Sequence, residues 1–261
     1  MGAAAALARC GRRSELEIAF EDFHTDNGAL PSGQSYDHVR DSALALSQGK
    51  PLSGQDHGYS DAYRHFSALQ AALAGARAFR QDPSDSLFSL AHIQTLHETL
   101  SGGPSSYRRA PRTVSAMQAE AKERCTCPDP ADLQSAMAQL LRDSNALSMA
   151  CLNSPERCFE VAAKISHGFL SIQPYDDRNG QVARLLARMA LTGLDCPLPV
   201  PFYSDADQRQ RYGLSLLKGD GGNLTPLTHL LVHRFLDLMD QVEADLQQAG
   251  FPAIIPPEEL P

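Results

Sequence analysis

At 261 residues with a formal net charge of -8, the chain is long enough for one domain with a sizeable core. Its acidity and lack of a long basic run exclude nucleic acid as a main partner, because binding a phosphate backbone needs clustered lysine and arginine. No run approaches the ~18 apolar residues of a membrane helix, and Met1 to Ala8 is too short and lacks the basic leader of a secretory signal, so an intracellular, cytoplasmic protein is expected.

The six cysteines include one close pair, Cys125 and Cys127. With no paired CxxC or histidine cluster, they read as free thiols rather than a zinc site or a disulfide framework. From the N-terminus, Ser14-Glu15-Leu16-Glu17 has capping-box spacing and predicts a short helix through Phe23. Residues 26–58 are rich in Asn, Gly, Ser, Pro, Asp and Gln, with one weak helical patch at His38 to Leu46. Residues 1–60 are therefore expected to form a partly irregular arm. From Ala62 the pattern becomes firm. Ala62, Phe66, Leu69, Leu73, Ala76 and Phe79 form one apolar stripe, and a second helix is predicted over Leu87 to Leu100, closed by Gly102-Gly103-Pro104. Asp129 as N-cap and Pro130 at the first helical position open a helix carrying Leu133, Met137, Leu140 and Leu141.

The next helix, Cys158 to Ile172, carries Phe159, Ala162, Ala163, Phe169 and Ile172 at helical spacing. It ends where Pro174 pushes Gln173 out of the α region. Another helix begins after the loop, with Leu185, Leu186, Met189 and Ala190 on its apolar side. Asn179-Gly180 supplies a capping residue and a glycine able to take positive φ. A loop running into a helix N-terminus presents outward-pointing N–H groups and the positive end of the helix dipole, so phosphate is the expected guest. The prolines at 197, 199 and 201 then break the chain. A helix follows with Tyr212, Leu214 and Leu217 as its expected buried side, and Thr225-Pro226 opens a last one carrying Leu227, Leu230, Leu231, Phe235, Leu238 and Val242. The stretch 251–261 is a proline-rich, acidic tail.

The loop Gln173-Pro174-Tyr175-Asp176-Asp177-Arg178-Asn179-Gly180-Gln181-Val182-Ala183-Arg184 resembles the signature of the Fic (Fido) family, His-Pro-Phe-x-Asp-Gly-Asn-Gly-Arg-x-x-Arg. Pro174, Asp177, Asn179, Gly180 and Arg184 match, and Tyr175 replaces the phenylalanine. Gln173 stands in place of the leading histidine, Arg178 in place of the first glycine and Gln181 in place of the first arginine. The resemblance is clearest over residues 84–248 within a domain of 61–250. It implies an all-α, Fido-type helical bundle of seven to nine helices around a central antiparallel pair joined by this loop, with a small β-hairpin flap. Tyr107-Arg108 through Val114 resembles the strand segment that builds this flap, which would grip an extended protein target by strand addition.

In active members the resemblance implies transfer of a nucleotide phosphoryl group, usually AMP from ATP with Mg²⁺, to a protein Ser, Thr or Tyr hydroxyl. The histidine is the general base. At that catalytic position Gln173 offers only hydrogen bonds, since an amide does not titrate in this range. Asp177 takes the place of the metal ligand. Arg178, Asn179, Gly180, Gln181 and Arg184 occupy the nucleotide-phosphate positions, where Arg178 adds a β-carbon and a guanidinium to what was a glycine turn. Arg184 remains for phosphate binding or an internal salt bridge. Three chemical positions have changed together, which favours a pseudoenzyme that retains nucleotide or protein binding. The alternative is an active nucleotidyltransferase, for AMP or another diphosphate-linked donor, with altered catalytic residues. His167, one and a half turns before the loop, is weighed as a substitute base and read as a packing or exposed residue. The family's restraining motif, (S/T)xxxE(G/N), is absent: no glutamate in the chain precedes Gly or Asn.

Overall fold

The structure is a computed structural model and describes residues 57–115, 124–152, 154–196, 200–203 and 206–248. The described residues hold seven α-helices: α1 His57–Gln81, α2 Leu90–Ser101, α3 Leu133–Cys151, α4 Cys158–Ile172, α5 Asn179–Gly193, α6 Ala206–Asp220 and α7 Thr225–Gln248. The expected short helix through Phe23, the patch at His38 to Leu46 and the tail lie outside the described residues. The first helix begins at His57, inside the stretch assigned to the arm.

Helices α4 and α5 pack on each other more extensively than any other pair, and α5 packs next on α1. Sequence explains the hierarchy. On α5, residues 181–191 are all buried, including Val182, Leu185, Leu186, Met189 and Ala190. A helix buried on every side belongs at the centre of a bundle. Helix α4 buries a broad face through Val161, Ala162, Ile165, Phe169 and Ile172, while α1 contributes Leu69, Leu73, Ala76 and Phe79 to the same core. No described helix is long and apolar enough to cross a membrane.

The end of α2 holds for the expected reason, whereas α2 and α3 begin three residues later than expected, at Leu90 and Leu133. The Ser89 hydroxyl accepts from the His92 N–H at 3.1 Å at the start of α2. At its end Gly102 adopts φ 70° and donates its N–H to the Glu98 carbonyl, the left-handed exit that glycine makes without steric cost. Pro130 opens a 3₁₀ turn, Pro130–Asp132, that leads into α3. The buried side of α6 is a correction. The structure buries Tyr212 and Ser215 but leaves Leu214 45% exposed, because a residue two positions along a helix points to nearly the opposite side.

Strands β1 (Thr113–Ser115) and β2 (Arg124–Thr126) pair antiparallel with Val114 opposite Cys125. Residues 116–123 between them lie outside the described residues, so the expected flap is not shown. Cys127, Cys151, Cys158 and Cys196 are buried and outside any disulfide. A hydrogen bond to Cys196, together with burial, pushes the Cys158 thiol well up and keeps it protonated.

Candidate functional site: the loop between α4 and α5

Helix α4 ends when Gln173 turns left-handed at φ 49°, donating its N–H to the Phe169 carbonyl at 2.9 Å. Pro174 follows, and the six residues from Gln173 to Arg178 reverse the chain into α5. Three anchors fix this loop.

The first is Asn179. Its Nδ2 donates to the Tyr175 carbonyl at 2.7 Å and its Oδ1 accepts from the Tyr175 N–H at 3.1 Å, closing a two-bond clasp. Asn179 is thus not the N-cap that the sequence pattern implies. It is the first residue of the helix, and Arg178 stands at the cap position with φ 57°. The positive φ expected at Gly180 falls instead on Arg178, because the clasp draws Asn179 back toward Tyr175 and the residue before it must make the reversal. A left-handed conformation costs a non-glycine residue about 1–2 kcal/mol. Replacing Asn179 with alanine strips the buried Tyr175 N–H of its partner, leaves the Tyr175 carbonyl to Arg112 alone, and is expected to cost about 1–3 kcal/mol in urea unfolding. Asn179→Asp keeps only the acceptor half and is expected to fall between the two.

The second anchor is Tyr175, whose side chain is fully buried. Its ring stacks on His97 with centroids 3.8 Å apart and leans on Tyr107 and Phe169. Burial raises its phenol pKa to about 12, so it stays protonated. The third is Arg108, 2% exposed. Its Nε donates to the Gln173 carbonyl at 2.8 Å, its Nη1 to the Ala110 carbonyl at 2.8 Å, and its Nη2 to the carbonyls of Pro128 and Ile172. The main chain of Arg108 adds an N–H bond to the Pro174 carbonyl at 2.8 Å. Arg108, expected to face a target, is therefore a buried clamp between the loop and the approach to β1. Nearby, Arg112 reaches the carbonyls of Tyr175 and Asp176 at 3.0 and 2.6 Å.

On this frame sit the positions to which the resemblance assigns chemistry. Gln173 is 7% exposed. The Asp177 carboxylate is 68% exposed and lies 3.6 Å from His97 Nε2. Burial lowers the pKa of His97 against the opposing pull of Asp177. Arg178 places Nη2 3.3 Å from Asp61 Oδ2 on α1 and donates from Nη1 to Gln181 Oε1 at 3.3 Å. The two departures from the signature at 178 and 181 thus meet: a guanidinium missing from the helix position is supplied three residues earlier. Arg184 is buried and lies over the Tyr203 ring at 5.4 Å. Its Nη1 lies 3.5 Å from where a Cβ on Gly180 would stand, an ordinary contact distance.

The described residues contain no group of three His, Cys, Asp or Glu side chains placed to hold a metal. One exposed hard carboxylate, Asp177, fits a Mg²⁺ ion only if phosphate oxygens and water complete its shell, which is the usual mode for that ion. His167 is bound to Asp220 Oδ1 at 3.0 Å, which ties it to α6.

Asp61, His97, Arg112 and Arg188 escaped the sequence reading. Asp61 and Arg112 act across more than fifty residues, beyond any local pattern. His97 falls on the apolar face of α2 between Ile93 and Leu100, a placement that could have marked it. Arg188, fully buried above the Phe202 ring at 5.9 Å, is one turn beyond Arg184 on the same face of α5.

Comparison with known proteins agrees with this frame. The Fic/DOC family model matches residues 87–191. A Fido domain-containing protein of Dictyostelium discoideum is 34% identical over 76 residues, which are 29% of this chain and 51% of that protein, so the matched region spans about half the relative's length. A solved Fic domain-containing signalling protein from Bacteroides thetaiotaomicron superposes with a TM-score of 0.68 at 18% identity, covering 96% of this chain and 92% of that one. A Fic family protein from Desulfovibrio desulfuricans G20 gives 0.65 at 17% identity, over 91% of this chain and 67% of that one. The motif, the helix order and these matches together support a Fic domain over residues 87–191.

Proposed function

We propose that this protein is a degenerate Fic domain that no longer transfers a nucleotide efficiently and retains phosphate-dependent nucleotide binding, protein binding, or both at the α4–α5 loop. The observation that carries this reading is Gln173. It occupies the position of the family's general base with a side chain that cannot take a proton from a hydroxyl near neutral pH. The supports around it are intact: the Asn179 clasp, the Tyr175 anchor and the Arg108 clamp hold the loop. A frame kept while its reactive group is replaced fits a role in binding.

Three features favour nucleotide as the guest. The loop delivers α5 N-terminus first, with the dipole and free N–H groups of a 15-residue helix that attract phosphate. Arg178 sits beside that turn, and Asp177 keeps an exposed carboxylate on the loop that would hold a Mg²⁺ ion. For a protein partner, the two-stranded β1–β2 ladder offers main-chain edges of the kind that accept an added strand, with Tyr107 and Val114 nearby.

Calorimetric titration with ATP, GTP, CTP and UTP, each with and without Mg²⁺, tests the nucleotide half. The expected result is saturable binding that requires Mg²⁺ and weakens by about tenfold or more in Asp177→Ala, since that carboxylate is the sole protein ligand. Heat-silent titrations with all four nucleotides would reject nucleotide binding and leave the β1–β2 edge as the working surface.

A further inference from the structure

We propose that the groove between α6 and α7 is a second binding site, separate from the signature loop, for a small amphipathic anion: an alkyl or aryl body ending in a carboxylate, sulfonate or phosphate. The groove encloses about 550 Å³, within the range of pockets that take small molecules. No residue of the loop from Gln173 to Arg184 lines it.

Its chemistry is divided. The floor is apolar, formed by Phe202, Leu214 and Leu230. Leu214 is the residue of α6 that amphipathic spacing assigns to the core and the structure leaves 45% exposed. An exposed leucine at the base of a concavity is apolar surface without a partner, and covering it is favourable by about 25 cal/mol per Å². The rim is basic. Arg211 and Lys218 stand on α6, two turns apart on one side of the groove. Neither forms an ion pair or a side-chain hydrogen bond among the described residues. The only carboxylate on the lining, Asp237, is already engaged by Arg234 at 3.1 Å. Two free cations over an apolar floor, in a chain of net charge -8, form a local positive patch against an acidic background. Such a patch selects an anion, and the floor selects one with an apolar body.

The probe is 1-anilinonaphthalene-8-sulfonate, an aryl sulfonate whose emission rises in apolar surroundings, followed in the full chain, which contains no tryptophan. Expected are saturation at one site per chain, displacement by dodecanoate, and no displacement by dodecyltrimethylammonium at the same concentration. The double variant Arg211→Glu with Lys218→Glu, once far-ultraviolet dichroism and melting temperature confirm that it folds as the native protein does, is expected to bind about tenfold or more weakly. Leu214→Gln, a change on an exposed position, is expected to weaken binding independently of charge. Non-saturating emission, equal displacement by the cationic amphiphile, or unchanged affinity in the folded double variant would each overturn the proposal. Binding to anionic phospholipid vesicles without displacement by dodecanoate would overturn it in favour of a membrane contact.

Discussion

Arg108→Met is expected to lower the free energy of unfolding by about 3–5 kcal/mol, the cost of breaking a buried, fully engaged charged group. The side chain donates to four carbonyls drawn from both ends of the approach to the loop, those of Gln173, Ile172, Ala110 and Pro128. Two of them, Ile172 and Gln173, belong to the C-terminal end of α4, where unpaired carbonyls and the negative end of the helix dipole favour a cation. Methionine fills similar volume but leaves these buried acceptors without donors. Arg108→Lys is expected to recover little, because one ammonium cannot span the fork of directions that a guanidinium reaches. Urea denaturation followed by circular dichroism checks both variants. A loss under about 1 kcal/mol for Arg108→Met would show that the loop holds its shape without the clamp.

Restoring the signature is expected to restore chemistry. In the triple variant Gln173→His, Arg178→Gly and Gln181→Arg, transfer of labelled AMP from ATP to protein should rise by about 10²–10⁴ over the native chain, the usual worth of a positioned general base. Each change has a separate physical effect. Histidine supplies a group that titrates near neutrality. Glycine at 178 removes a left-handed non-glycine residue, now at φ 57°, and leaves Asp61 paired with Arg64 alone. Arginine at 181 returns a guanidinium to the first turn of α5. Adding Asp177→Ala to this background is expected to abolish the gain, since the carboxylate would hold the metal. If the restored protein transfers no faster than the native one, the scaffold has lost more than a base, and the protein-binding reading of the loop stands alone.

Much of the fold was legible in the sequence because its signals are local. Helix α4 was expected over Cys158 to Ile172 and is found there, since a strong apolar period is ended by proline one residue beyond Gln173. Gly102 closed α2 for an equally local reason, its tolerance of positive φ. The signature frame, too, was readable from residue types at fixed spacing. What failed were expectations that depend on which side of a residue faces what. Leu214 was expected in the core by apolarity alone, yet the orientation of α6 is set by its packing with α7 and α4. Arg108 was expected to face a target, yet the carbonyls it satisfies lie 64 and 65 residues away on α4.

The chain by itself therefore determined the helical architecture, the position of the signature-like loop and the presence of a non-titrating side chain at 173, because propensity, periodicity and side-chain chemistry belong to each residue and its near neighbours. Only the tertiary structure decided how the altered site is wired: Arg178 turned left-handed and paired with Asp61, His97 stacked on Tyr175 beside Asp177, and Arg108 buried as a clamp. Those contacts join residues far apart in the chain. Their existence depends on how helices seal a shared core, which no local pattern encodes.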